Sequence, residues 1–166
     1  SNAVRYVTDS SPAAEMTYHA SFAFNAYTLS TGANTNTAIT LLQGLTAANG
    51  QVFAVQFRRT TQAGNYQLRT VLTRTGAGAL TSAWVDVSAG VHTIRVDWTS
   101  GPATGANASS LRLLRDGTQV ISQTGNTSTQ LVETARLGLV AGVTTASTMA
   151  GTAYFDTFVS TRNTLP

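Results

Sequence analysis

The sequence contains no cysteine and no lysine, and charged residues make up only 10% of its 166 residues. The absence of cysteine excludes a disulfide scaffold and thiolate metal sites. The shortage of lysine and glutamate excludes a coiled coil. No stretch approaches the ~18 consecutive apolar residues of a transmembrane helix. Hydrophobic residues still make up 42% of the chain, which is enough to argue against intrinsic disorder.

Positive charge is sparse and scattered. Ten arginines stand against five aspartates and two glutamates, and only Arg58 and Arg59 are adjacent. Proteins that bind nucleic acid cluster their cations on one face or helix, so we expect no nucleic-acid partner. The abundant residues are threonine with 29 copies, alanine with 24, and glycine and serine with 14 each. This composition is typical of a neutral globular domain, and we expect no membrane insertion.

Short alternating segments separated by turn residues recur along the whole chain. Residues 51–59 place Phe53, Val55 and Phe57 on one face, and residues 91–99 alternate in the same way. Asn49-Gly50 and Asp116-Gly117 favour tight hairpin turns. About eleven such strands and no helical periodicity predict an all-β domain, either a sandwich or a barrel. The predicted core consists of Phe22, Phe53, Val55, Phe57, Leu68, Leu72, Ile94, Val96, Trp98, Leu111, Leu113, Leu137 and Phe155.

The ends of the chain suggest how it is organised. Residues 1–3, Ser-Asn-Ala, look like the remnant of a cleaved tag and are left out of the fold. Residues 4–166 are predicted to form a single domain, expected to belong to a longer protein. The lack of lysine and cysteine, with abundant threonine, serine and asparagine, fits a bacterial secreted or cell-surface protein.

Two strand-like segments joined by a loop carry a recognisable pattern. Residues 91–98 read Val-His-Thr-Ile-Arg-Val-Asp-Trp, and residues 111–117 read Leu-Arg-Leu-Leu-Arg-Asp-Gly. The pattern also includes Trp84 with Val87 and Gly90, residues 135–138, residues 151–160 and residues 4–9. Together they resemble concanavalin A-like (laminin G-like) jelly rolls over about residues 4–162. The resemblance implies an all-β, antiparallel two-sheet jelly-roll sandwich, in a superfamily of lectins, glucanases, carbohydrate-binding modules and adhesive domains.

Catalytic motifs are missing from the sequence. Glycoside hydrolysis needs two carboxyl groups roughly 5–10 Å apart, and the glucanases of the superfamily carry a Glu-x-Asp-x-x-Glu type of strand motif. The only glutamates are Glu15 and Glu133, and nothing in their spacing brings them together. No Gly-x-Ser-x-Gly turn or phosphate-binding glycine loop is present. We therefore expect no enzyme activity and no catalytic residues.

Metal sites have little support. His19 and His92 have no carboxylate or second histidine at a ligand spacing, which argues against zinc. The resemblance implies one possible structural calcium, with Asp156 as a candidate ligand. The residue after it is Thr157, where the superfamily commonly has a second acid, so an ordinary hydrogen-bonding role for Asp156 competes with this interpretation. No cofactor is expected to be required.

The candidates for ligand binding are polar residues on two neighbouring strands, a tryptophan in a separate short strand beside glycine-rich turns, and a tyrosine near the end of a loop. Sugars stack on exposed aromatic rings while nearby polar groups bond their hydroxyls. The candidates are Gln56, Arg58, Tyr66, Gln67, Arg69 and Trp84. A solvated sheet face explains the same alternation without a ligand. The sequence thus predicts a non-catalytic module that binds a carbohydrate or cell-surface glycan, with a structural or adhesive spacer and an atypical glycan-active hydrolase as alternatives.

Overall fold

The computed structural model describes residues 3–32, 37–59, 65–101, 108–143, 149–163 and 166, and these residues form twelve β-strands and no helix. They therefore include no helix with the length and hydropathy that a membrane crossing requires. The strands are β1 (Arg5–Asp9), β2 (Thr17–Asn25), β3 (Ile39–Leu45), β4 (Gln51–Arg59), β5 (Tyr66–Leu72), β6 (Leu80–Thr81), β7 (Val85–Val87), β8 (Val91–Thr99), β9 (Ser109–Arg115), β10 (Thr118–Gly125), β11 (Thr134–Ala141) and β12 (Tyr154–Thr161).

The strands assemble into two antiparallel sheets. The seven-stranded sheet has the order β1-β11-β3-β4-β5-β6, with β7 also paired to β5. The five-stranded sheet has the order β10-β9-β8-β2-β12. The predicted two-sheet sandwich is confirmed. The sequence missed the two-residue β6, and it placed Trp84 inside a strand although β7 begins one residue later.

The core lies between the sheets, where the apolar faces of the alternating strands meet. Twelve of the thirteen predicted core residues are buried. Phe155 is only partly buried, because β12 is the edge strand of its sheet and leaves one side of the ring uncovered. Met16, which precedes β2, is 51% exposed.

Aromatic rings from the two sheets interlock in the core. The Phe53 ring of the seven-stranded sheet lies 5.9 Å from Tyr18 and 6.1 Å from Trp98 of the five-stranded sheet. Phe57 meets Phe24 edge to face at 5.6 Å. Such pairs add to the free energy of burying the rings themselves. A Cβ atom on Gly44 would lie 2.5 Å from the Phe53 ring, so only glycine leaves room for this ring.

A polar network ties the end of β1 to β12 beside this core. The Asp9 carboxylate accepts hydrogen bonds from Tyr18 at 3.1 Å and from Ser160 at 2.6 Å. Arg162 lies 3.4 Å from the same carboxylate and stacks over the Tyr18 ring at 4.9 Å. Burial by itself raises the pKa of Asp9, but the hydrogen bonds from Ser11, Ser160 and Tyr18 outweigh it and lower this pKa to about 2. Burial and the nearby Asp9 charge raise the pKa of Tyr18.

Replacing Phe57 by alanine tests the aromatic contact between the sheets. The ring is fully buried, so we expect the free energy of unfolding to fall by about 3–5 kcal/mol, as in other large-to-small core changes. Urea unfolding of Phe57→Ala measures this. The exposed Arg112→Ala variant serves as the control and is expected to change by less than ~0.5 kcal/mol. A loss below ~1 kcal/mol for Phe57→Ala would contradict the assigned inward face.

Replacing Asp9 by asparagine tests the network at β1. The pKa of Asp9 is about 2 in the fold against 3.8 for the free side chain. Its ionised form therefore stabilises the fold above pH 3.8, and this contribution is lost as the pH falls toward 2. We expect Asp9→Asn to be less stable by roughly 1–2 kcal/mol at pH 7, with the difference closing below pH 4. Parallel stability curves from pH 7 down to pH 2 would contradict this assignment.

Candidate functional site

The outward face of the seven-stranded sheet carries long polar side chains on β4 and β5. Phe53 and Phe57 of β4 and Leu68 of β5 point into the core. Alternate residues of a strand point to opposite faces, so their neighbours point to solvent. The outward residues are Gln56, Arg58, Gln67 and Arg69. The register pairs Gln56 with Arg69 and Arg58 with Gln67, so arginines and glutamines occupy opposite diagonals of a four-residue square.

Each arginine in this square is held by the glutamine opposite it. Arg58 Nε donates to Gln67 Oε1 at 2.7 Å, and Arg69 Nε donates to Gln56 Oε1 at 2.7 Å. A guanidinium has five N–H donors in a fixed plane. Each of these bonds therefore orients one guanidinium group through its Nε atom. Among the described residues, the two terminal nitrogens of Arg69 make no hydrogen bond, so they are available for a ligand.

Trp84 packs over both arginines. Its ring centre lies 4.4 Å from Arg58 Cζ and 4.3 Å from Arg69 Cζ. Trp84 is half-buried, as are the four residues of the square. We call Gln56, Arg58, Gln67, Arg69 and Trp84 the arginine–tryptophan cluster. It comprises five of the six residues that the sequence proposed for ligand binding.

An acidic residue borders the cluster on β7. Gln67 Nε2 donates to Asp86 Oδ1 at 2.7 Å, and Gln67 and Asp86 are paired across the strands. Burial, together with the neighbouring Arg58 cation, lowers the pKa of Arg69. The sequence argument missed Asp86, because only the β5–β7 pairing brings it beside Gln67.

The same sheet face extends to a third arginine. Arg136 on β11 is paired with Gln43 on β3, which is paired in turn with Ala54 on β4. Arg136 Cζ lies 5.2 Å from the Tyr6 ring centre. With strands about 4.8 Å apart and residues about 3.4 Å apart along a strand, Arg136 lies roughly 15 Å from Arg58 and Arg69. Among the described outward strand positions of this face, Asp86 is the only acid.

Tyr66, the sixth candidate, lies on the opposite face of β5. It is 8% exposed and its ring stacks on Phe57 at 5.9 Å. Its hydroxyl donates to the Tyr27 carbonyl oxygen at 2.6 Å. Tyr66 lies two residues before Leu68 on β5 and therefore points to the same inward face. It belongs to the core and not to the cluster.

The two histidines lie outside the cluster, and each is bonded to an aspartate. His19 Nδ1 lies 2.9 Å from Asp97 Oδ1, and His92 Nδ1 lies 2.6 Å from Asp116 Oδ2. The bond with His92 lowers the pKa of Asp116. The expectation that neither histidine has a nearby carboxylate is therefore wrong, because the partners come from strand pairing and a hairpin turn rather than from sequence spacing.

The remaining acids show two further arrangements. Glu15 forms a backbone bridge with Val132 through two 3.0 Å hydrogen bonds, and Glu133 is the next residue after Val132, a proximity that sequence spacing does not reveal. Asp156 is exposed on β12, and its Oδ1 accepts a 2.7 Å bond from the Thr157 amide. No group of three potential metal-ligating side chains occurs in the described part of the chain. Calcium at Asp156 stays a prediction.

The fold is that of concanavalin A-like jelly rolls, although no family model matches the sequence and no curated protein matches it. An alginate lyase of Pseudomonas aeruginosa superposes with a TM-score of 0.60 at 10% identity, covering 90% of this chain and 66% of the lyase. The marine PL7 alginate lyase of Zobellia galactanivorans gives 0.54 at 12% identity, covering 95% and 65%. A tetrameric galectin of the ball sponge Cinachyrella sp. gives 0.52 at 12% identity, covering 93% and 98%.

This comparison corrects one expectation from the sequence. The chain was expected not to be an enzyme, yet several of the structures that share its fold are alginate lyases. That expectation considered hydrolysis, which needs a carboxylate pair. A lyase cleaves by elimination instead, so a missing carboxylate motif does not exclude it. The chain spans about two thirds of the length of the two lyases described above.

Removing the tryptophan ring tests the packing of the cluster. A cation that lies over an aromatic ring at an exposed site contributes about 0.5–1 kcal/mol to stability. Trp84 makes this contact with two guanidinium groups, those of Arg58 and Arg69. We expect Trp84→Ala to lower the free energy of unfolding by about 1–2 kcal/mol and Trp84→Phe to lower it less. A double-mutant cycle with Arg69→Ala should show coupling. Additivity within ~0.3 kcal/mol would mean that the two side chains do not interact.

Proposed function

We propose that this protein acts on an acidic polysaccharide, which it binds across the outward face of the seven-stranded sheet. The observation that carries this proposal is the arginine–tryptophan cluster, where two guanidinium groups are held by two glutamines beneath one indole ring. The cluster combines an aromatic surface for a sugar ring with cations for its carboxylate.

The chemistry of the cluster favours an acidic sugar over a neutral one. Guanidinium groups recognise carboxylates through paired, charge-assisted hydrogen bonds. Arg136 continues the positive charge along the same face, at a distance that an extended polymer crossing the strands would span. Asp86 lies at the β7 side of the cluster, so an anionic chain is expected to run from the cluster toward Arg136.

The comparisons support an enzyme that cleaves such a polymer. Alginate, the substrate named for the lyases above, is a polysaccharide of uronic acids. In elimination from a uronate, a base accepts the proton α to the carboxylate, and the electron pair of that C–H bond forms a carbon–carbon double bond. The bond from the β carbon to the glycosidic oxygen breaks, and the departing oxygen takes up a proton to leave as a hydroxyl group. Cations and amide donors around the carboxylate stabilise the charge that develops on it. Arg58, Arg69, Gln56 and Gln67 supply donors of this kind.

The proposed substrate also indicates in which compartment the protein acts. Polysaccharides of this kind are found outside cells. Export to the cell surface or the medium is therefore part of the proposal, and it agrees with the compartment expected from the composition. The proposed partner is a glycan. The two assays below also distinguish a second outcome, in which the protein binds the glycan without cleaving it, as a lectin does.

Binding is tested by isothermal titration of the purified chain with oligomers of alginate and of polygalacturonate. We expect Arg58→Ala and Arg69→Ala each to raise Kd about tenfold, the loss of one charge-assisted contact, and binding to weaken as salt is added. Arg112→Ala removes an exposed arginine from the outer face of the other sheet and is the matched control. Equal losses for Arg112→Ala and Arg69→Ala would overturn this location.

Cleavage is followed through the ultraviolet absorbance of the unsaturated uronate that elimination creates. We expect absorbance to rise with the unaltered protein and to rise much more slowly with Arg58→Ala and Arg69→Ala. Reducing ends that appear without unsaturated product would indicate hydrolysis instead. In that case Glu15→Gln and Glu133→Gln are the variants to compare. Tight binding with neither product would contradict the enzymatic part of the proposal.

A further inference from the structure

Two exposed tyrosines meet at one end of the five-stranded sheet. Tyr27 is 58% exposed and Tyr154 is 55% exposed. Their ring centres lie 5.5 Å apart, with the planes tilted by 57°. Tyrosines usually bury much of their ring, so a contacting pair held in solvent is a surface suited to a ligand with an apolar face.

The backbone holds Tyr27 in this position against a local preference. Its φ angle is +43°, in the left-handed region that residues other than glycine seldom adopt. Two hydrogen bonds secure it: the Tyr27 amide donates to Asn25 Oδ1 at 2.8 Å, and the Tyr66 hydroxyl donates to the Tyr27 carbonyl oxygen at 2.6 Å. Strain maintained by surrounding contacts is a feature of ligand sites.

A depression of about 230 Å³ adjoins Tyr154 on the outer face of the sheet. Tyr154 is paired with Asn25, and Asn25 with Val91, which gives one row of side chains. Asp156 is paired with Ala23 in the next row. Because the alanine side chain is short, it forms the floor between taller neighbours. The volume lies below the range for drug-sized ligands, as suits a single sugar ring.

The walls of this depression offer both kinds of hydrogen-bonding group. Asn25 uses its Oδ1 for the Tyr27 amide, and its amide group keeps two N–H donors. Asp156 uses Oδ1 for the Thr157 amide, and its carboxylate keeps acceptor positions on Oδ2. Sugar hydroxyls both donate and accept, so an amide beside a carboxylate can bond two of them.

We propose that Tyr27, Tyr154, Asn25 and Asp156 form a second glycan site that takes a neutral pyranose. The pyranose stacks its C–H face on Tyr154, with the tilted Tyr27 ring at its edge, while its hydroxyls reach Asn25 and Asp156. The Asp156 carboxylate repels uronates, so this site selects against the acidic sugars proposed for the arginine–tryptophan cluster. The two sites lie on different sheets, and this one does not depend on the function proposed above.

The probes are cellohexaose, mannohexaose, xylohexaose and galactohexaose, titrated into the full chain and followed by saturation-transfer difference NMR. We expect at least one of them to receive saturation. Tyr154→Ala and Tyr27→Gly should each weaken its binding about tenfold, and glycine accepts the φ of residue 27 without strain. Tyr27→Phe and Tyr154→Phe keep the rings and should bind much as the unaltered chain does.

Two controls make the result specific. Tyr6→Ala removes a tyrosine that is 42% exposed on the other sheet and should leave binding of the neutral oligosaccharide unchanged. Alginate binding should be the same in Tyr154→Ala as in the unaltered protein, which separates this site from the arginine–tryptophan cluster. No saturation of any neutral probe, or binding that survives loss of both rings, would overturn the proposal.

Discussion

The packing of Phe53 and Phe57 against the rings of the opposite sheet is the constraint on which the rest of the structure depends. Once these two side chains occupy the core, the two-residue alternation of β4 turns Gln56 and Arg58 to solvent. Shifting the strand by one residue would bury an arginine and expose a phenylalanine, a change that costs both burial of apolar area and desolvation of a charge. The outward polar face is therefore a consequence of the core.

Strand pairing then converts this alternation into a site. The β4–β5 register sets each arginine opposite a glutamine, so that the two hydrogen bonds follow from the backbone ladder. Trp84 reaches both guanidinium groups because the chain reverses after β5 and runs back alongside it through β6 to β7. The hydrogen bonds restrain guanidinium groups that would otherwise lose much side-chain entropy when a ligand orders them. The cluster is thus organised before a ligand arrives.

The two outer faces differ in charge and in the surface that they offer a sugar. The seven-stranded sheet presents arginines with one indole ring, which suits an anionic polymer. At its end near Tyr154, the five-stranded sheet presents two phenol rings with a carboxylate, which suits a neutral ring. Under the two proposals, one small sandwich binds two chemically different glycans on its opposite sides.

The sequence by itself determined the all-β class, most strands and nearly all of the core, because the alternation of apolar residues is local information. The same alternation also singled out Gln56, Arg58, Gln67 and Arg69 as outward residues, and Trp84 was singled out as an aromatic residue beside flexible turns. Tertiary structure decided what no spacing reveals: the burial of Tyr66, the aspartate partners of His19 and His92, and the meeting of Tyr27 with Tyr154. These contacts join residues as far apart as 127 positions in the chain, and only strand pairing and the return of the chain bring them together.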